Sequence, residues 1–326
     1  MKNMRWLCLC LIAAISACGT PARKHVLLAE DTQVTVVLSG SHDTWSSLAE
    51  TYYSNKSLGW YIADRNSLKE LTAGQKLVIP KSMEPHYGIF DNYEQIVPIL
   101  TYHNFGPKKS NTMIRPQDFE QQLRYLRDNN YRVISLSALS KHMQQGLPIP
   151  HRAVVITIDD GFRSTYDIAF PLLKKYGMPA TVFVYSDFIN NGGLKKKQLI
   201  DMLESDLIDI HSHSKTHRNF NMPLANESLK DFYQNLKLEI IAPQEKLNRL
   251  LSAPEEQYFA YPYGEVNPKV VEFLTESNHK LGFTVSPGSI SSYSYPYTLR
   301  RFQVFGNRNL KSFIKIIKRN RRDLAI

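Results

Sequence analysis

At 326 residues, 43% hydrophobic and 21% charged, the chain is long enough for one large domain, or a small one plus a larger one, with a substantial core. The net charge of +10 favours anionic surfaces, but no recognition helix, zinc finger or single-strand-binding signature accompanies it, so nucleic acid is not indicated as a partner. All three cysteines, Cys8, Cys10 and Cys18, lie near the N-terminus, which excludes a disulfide scaffold without excluding export.

Lys2 and Arg5 precede an apolar run from Trp6 to Ile15, and small residues follow. This is the pattern of a secretory signal over residues 1–17, too short for a comfortable membrane span. Ile15-Ser16-Ala17-Cys18 resembles a bacterial lipobox, which implies a lipid on Cys18 and membrane attachment through it. An ordinary signal cleaved nearby is the alternative. Gly19 is not the Asp of an inner-membrane retention signal, so the expected address in a cell with two membranes is the periplasmic face of the outer one. Residues 18–32 are polar and read as a tether.

Residues 33–81 form a separate small module. Val34–Leu38 is a strand candidate. Asp43 or Thr44 can cap a helix whose apolar residues Trp45, Leu48, Ala49 and Tyr52 recur at helical spacing. Leu58, Tyr61 and Ile62 suggest a second helix, and Lys76–Ile79 is a strand ended by Pro80. This βααβ order, with SGSHDTWSSLA early and LTAGQKLVIP late, resembles a LysM domain, around a somewhat long middle, YYSNKSLGWYIADRN. The resemblance implies binding to a glycan containing N-acetylglucosamine. Residues 82–95 are polar and read as a linker.

The larger domain, residues 96–326, opens with an apolar strand, Ile96–Leu100, followed by Thr101-Tyr102-His103-Asn104. Phe119, Leu123 and Leu126 share one helix face. Val133–Leu136 reads as a strand, Ala138–Gln145 as a helix, and Val154–Ile158 as a strand buried on both sides. Ser164 and Asp167 have the spacing of a capping box for a helix that Gly177 stops. Strands follow at Ala180–Tyr185, Leu207–Ile210, Tyr258–Tyr261 and Leu281–Val285, with helices at Ile200–Leu207, Glu227–Leu251, Lys269–Ser277 and Leu310–Arg319. Strands alternating with helices at this rhythm imply a parallel βα architecture.

Two features carry chemistry. The stretch ITIDDGF ends a buried strand with Asp159 and Asp160, a costly placement unless a metal or another partner compensates the charge. His213 and His217, in HSHSKTH, are four apart, a spacing that puts both imidazoles on one side of a helical turn. Asp160 with these histidines is a donor set that Zn²⁺, Co²⁺, Fe²⁺ or Ni²⁺ would accept. Both features follow strand candidates, so both should emerge on one face of the sheet, where chemistry is usually placed.

TIDDGF, HSKTH and YPYG, in this order, resemble the NodB-type polysaccharide deacetylases, carbohydrate esterase family 4, over residues 96 to 319. The resemblance implies an α/β fold, a distorted (β/α) barrel of about seven strands. It implies Asp159 as general base, a metal, most often zinc, on Asp160, His213 and His217, and an oxyanion held by the backbone N–H of Tyr263. The family often has an arginine where Ala260 stands, and Arg301 is the candidate to replace it. VPILTYHNFGP resembles the permuted branch that contains the poly-N-acetylglucosamine deacetylases of biofilm systems, which implies His103, protonated, as general acid. The expected activity is metal-dependent N-deacetylation of a polysaccharide containing N-acetylglucosamine. Peptidoglycan is the alternative substrate, and a non-catalytic glycan-binding lipoprotein the alternative class. His211 reads as exposed or supporting, and His25, His42, His86, His142, His151 and His279 as lacking partners. The basic C-terminal helix reads as a barrel helix with a solvated face.

Overall fold

The computed structural model describes residues 25–83, 86–251 and 256–324. The signal segment and Cys18 lie outside the described residues. The chain forms two compact units that divide between Ser82 and Met83.

In the N-terminal unit, Val26–Glu30, Val34–Leu38 and Lys76–Pro80 form an antiparallel sheet in that order, and helices Trp45–Tyr53 and Gly59–Arg65 connect the last two strands. Thr44 caps the first helix reciprocally with Ser47: the Ser47 N–H donates to Thr44 Oγ1, and the Thr44 N–H to Ser47 Oγ. Asp43 instead accepts from the Gly40 N–H. The stretch read as a tether contains the strand Val26–Glu30. Its five residues are all exposed, so it is held by backbone pairing and leaves no hydrophobic period to read.

The larger unit is built on a parallel sheet of eight strands. The spatial order is His279–Phe283, Gln257–Ala260, Ile208–Ser212, Ala180–Val184, Ala153–Ile158, Ile99–Tyr102 and Phe302–Gln303, with Arg132–Val133 beside the start of Ala153–Ile158. From Ala153–Ile158 to His279–Phe283 sequence neighbours are spatial neighbours, and the last strand, Phe302–Gln303, lies beside the first, Ile99–Tyr102. The two ends meet through one segment: Leu299 exchanges hydrogen bonds with Gly282 and Thr284 at one edge, while Phe302 pairs with Leu100 at the other. The sheet therefore curls on itself, as the barrel reading expects.

All six residues of Ala153–Ile158 are buried. Val154, Ile156 and Ile158 pack in the cluster under the helices, and Ala153 and Val155 join Phe183, Ala260 and Phe283 inside the curl. Alternation then carries Thr157 and Asp159 inward.

Several boundaries differ from expectation. Pro98 has no N–H for a ladder, so the first strand begins at Ile99. The second strand is only Arg132–Val133, because Ser135 caps helix Leu136–Gln145 by accepting from the Ala138 N–H. Ser164 does not cap its helix: its hydroxyl donates to Asn104 Oδ1 and accepts from the Phe105 N–H, and the chain runs as a π-turn from Thr165. The end of the stretch read as a linker, Tyr93–Gln95, is a strand paired antiparallel with Arg321–Asp323. Helix Leu310–Ile317 buries Phe313 and Ile317, which makes it a packed helix of this unit.

Candidate active site and metal centre

Asp159 ends its strand with its N–H donating to the Tyr102 carbonyl at 2.8 Å. Its carboxylate, 1% exposed, meets the guanidinium of Arg301, 0% exposed. The pair is bidentate, Nη1 to Oδ1 at 2.8 Å and Nη2 to Oδ2 at 2.7 Å. Arg301 Nε donates to the Thr284 carbonyl, Nη1 also donates to Thr157 Oγ1, and the group lies over the rings of Phe183 and Phe283. A buried ion pair is favourable only when its geometry is good and most of its other donors are used, and here four of the five guanidinium N–H groups have acceptors. Burial works to raise the Asp159 pKa, but the charges of Arg301 and His213 and the hydrogen bonds from Arg301 together outweigh it and hold the carboxyl below its ordinary range. Ala260 is fully buried on the strand across the curl, so the arginine that the family resemblance expected there enters from the closing segment instead.

Asp160 (φ 74°) and Gly161 (φ 76°) are both left-handed, so the chain leaves extended geometry directly after Asp159, and His213 Nε2 lies 3.9 Å from Asp159 Oδ2 as well as near Asp160. Asp160 Oδ1 lies 3.2 Å from His217 Nε2 and 3.5 Å from His213 Nε2. One ligand atom from each of the three residues falls within 4.8 Å of the others. His213 Nδ1 is 2.7 Å from the Ala260 carbonyl and must donate to it, so in the neutral ring Nε2 is the nitrogen free to bind a metal on the side of Asp160. Asp160 Oδ1 is buried and receives no well-formed hydrogen bond. Burial would lower the His213 pKa, yet the charges of Asp159 and Asp160 raise it. An orphaned carboxylate oxygen, two ring nitrogens facing it and the paired negative charges of the aspartates fit a divalent cation.

The two histidines do not share a helix. His213 follows strand Ile208–Ser212 directly, and the chain turns through Ser214 (φ 75°) and His217 (φ 66°), with the His217 N–H on Ser214 Oγ at 2.9 Å. A strand-end turn brings them together where a helical turn was expected.

Tyr263 sits at φ 59° in the Pro262–Gly264 turn. Its ring is 60% exposed and 4.8 Å from that of His217, and its N–H has no protein acceptor among the described residues. His103 is half-buried just after strand Ile99–Tyr102, within electrostatic reach of Asp159, Asp160, Arg301 and His213. Burial pushes its pKa below the ordinary imidazole value, although both aspartates pull it up.

His211 is buried inside the curl, with Nδ1 accepting from the Tyr258 N–H, and it is not among the residues grouped around Asp160. His25, His142 and His279 have partners after all: Tyr52, the Leu147 carbonyl and Ser277. Sequence reasoning missed Thr157, Thr284 and Glu239, none of which carries a motif. Only the inward alternation of the strand ending in Asp159 singles out Thr157.

The profile of the family described as polysaccharide deacetylase matches residues 147–285, a span that contains Asp159, Asp160, His213, His217 and Tyr263. The poly-β-1,6-N-acetyl-D-glucosamine N-deacetylase of Staphylococcus epidermidis is 30% identical over 212 residues, 63% of this chain and 72% of that protein. Among solved structures, IcaB from Ammonifex degensii aligns with a TM-score of 0.61 at 25% identity, over 69% of this chain and 96% of that one. The Streptococcus pyogenes deacetylase PplD, in complex with acetate, aligns at 0.61 and 22% identity over 68% and 98%, and shares the fold.

Proposed function

This chain belongs to the polysaccharide deacetylase family, enzymes that act on N-acetyl amides, and we propose that it deacetylates N-acetylglucosamine units of an extracellular polysaccharide of the poly-β-1,6-linked kind. The observation that carries the reading is the buried Asp159–Arg301 pair set directly beside the Asp160, His213 and His217 cluster. Support for the substrate comes from the relatives named for that polymer.

We assign the cation to Asp160, His213 and His217, with zinc ahead of cobalt, nickel or iron. When bound, such an ion lowers the pKa of water and polarises the acyl oxygen. Asp159, kept ionised and oriented by Arg301, takes a proton from the attacking water. The Tyr263 N–H donates to the oxyanion as the carbonyl carbon becomes tetrahedral. The amide C–N bond then breaks, and an amine leaves only if its nitrogen is protonated. His103, in its protonated form, delivers that proton as general acid, and the proton that Asp159 took from water restores it. Acetate and a free amino sugar are the products.

The N-terminal unit is, in this reading, a LysM-like glycan-binding module, and Cys18 the lipid-bearing residue of an exported, envelope-anchored protein. The strand-helix-helix-strand order from Val34 to Pro80, which follows the added strand Val26–Glu30, supports the first assignment. Acetate release from poly-β-1,6-N-acetylglucosamine and from purified peptidoglycan, measured side by side, tests the substrate: release from peptidoglycan alone would overturn it. Cys18→Ser should move the protein from the membrane fraction to the soluble one.

A further inference from the structure

We infer that Glu239 is the positioning residue for the turn that carries His213 and His217, an inference that rests on reading Asp160, His213 and His217 as metal ligands. Glu239 lies mid-helix in Leu229–Leu250 and is 5% exposed. A carboxylate buried to that degree needs hydrogen bonds, and all three of its contacts go to the segment between the two histidines. Oε2 accepts from the Lys215 N–H at 3.0 Å and the Thr216 N–H at 2.8 Å, and Oε1 accepts from the Thr216 hydroxyl at 2.7 Å.

The turn needs such a partner. With Ser214 and His217 both left-handed, it has no helical ladder to use these amides. Its carbonyls are held from the other side: the Ser186 N–H donates to the Ser214 carbonyl and the Asp187 N–H to the Lys215 carbonyl. Lys246, two turns beyond Glu239, donates to the Ser186 carbonyl at 2.6 Å. One helix thus offers an acceptor to the turn's donors and a donor to the segment that receives the turn's acceptors. The spacing between His213 Nε2 and His217 Nε2 is set by this clamp, without Glu239 touching either ring.

The test is metal affinity of the metal-free full chain, read by competition with a chelator for zinc and by the visible absorption of the cobalt-loaded protein. Glu239→Ala should weaken zinc binding by about 10- to 100-fold, the range for residues that orient ligands, and shift the cobalt bands. Glu239→Gln keeps an acceptor oxygen and should stay within about threefold of the wild type. Thr216→Val, which removes one contact and spares the fold, should fall between them and serves if Glu239→Ala does not fold. Wild-type affinity and unshifted bands in both Glu239→Ala and Thr216→Val would overturn the inference, as would Glu239→Gln binding as weakly as Glu239→Ala, which would assign the effect to charge. A wild-type chain that binds no metal would instead overturn the ligand reading beneath it.

Discussion

Two adjacent aspartates end one strand and meet different partners, and the backbone makes the division. Asp159 continues the inward alternation onto Arg301, while Asp160, at φ 74°, turns toward His213 and His217. Asp159→Asn should therefore abolish acetate release, at least about 1000-fold, and leave metal content unchanged, since Asp159 is not one of the three grouped residues. Metal analysis alongside an acetate assay reads both, and full activity in this variant would refute the base assignment. Arg301→Ala leaves a buried carboxylate unpaired, which costs about 3–5 kcal/mol, so both activity and the urea midpoint should drop. Arg301→Lys cannot form the bidentate pair and should lose kcat with KM little changed. Unchanged kcat in Arg301→Lys would mean that orientation of Asp159 does not limit the reaction. The aspartates and histidines are legible in sequence because their types and spacing are chemically rare. The Arg301 contact spans 142 positions, and its supporters Thr157 and Thr284 are ordinary residues, visible only once the strands are folded against each other.

At the scale of elements, the site is a set of strand ends joined to tight turns. The strands were legible because a fully buried parallel strand is a continuous apolar run, as in Ala153–Ile158. The turns were not. The spacing of His213 and His217 suits a helix equally well, and only the left-handed Ser214 and His217 make it a turn. Ser164 had the sequence of a cap but is claimed by Asn104 and Phe105, a long-range competition that no local pattern reveals. The Pro262–Gly264 turn offers a direct test. Gly264 is at φ 74°, and a Cβ there would meet the Val285 backbone nitrogen at 2.6 Å. Gly264→Ala should displace the neighbouring Tyr263 N–H and lower kcat by about 10- to 1000-fold, the range for losing one oxyanion donor, with metal binding preserved. Wild-type kcat in this variant would remove Tyr263 from the mechanism.

Across the molecule, burial of two histidines links stability to pH. Burial pushes His211 down to about 3 and His279 to about 4, both from an ordinary 6.5. Between pH 6.5 and 4 the unfolded chain binds protons at these positions and the folded one does not, so stability falls as pH falls through that window, by roughly a few kcal/mol in total. The two contribute little pH dependence once the pH is about a unit above 6.5, where the unfolded imidazoles are also neutral. Urea midpoints measured from pH 7.5 to 4.5 should decline, and less steeply in His279→Asn; a flat profile would refute the assignment. The division into two units was also legible as a change in pattern, whereas the exposed strand Val26–Glu30 was not, since backbone pairing alone leaves no mark in side-chain character. The central claim is metal-dependent N-deacetylation, and acetate release from poly-β-1,6-N-acetylglucosamine oligomers tests it most directly, with the full chain assayed before chelation, after chelation and after zinc is restored. The account predicts release, its loss on chelation and its recovery with zinc; no release from any of the three, or release indifferent to chelation, would contradict it.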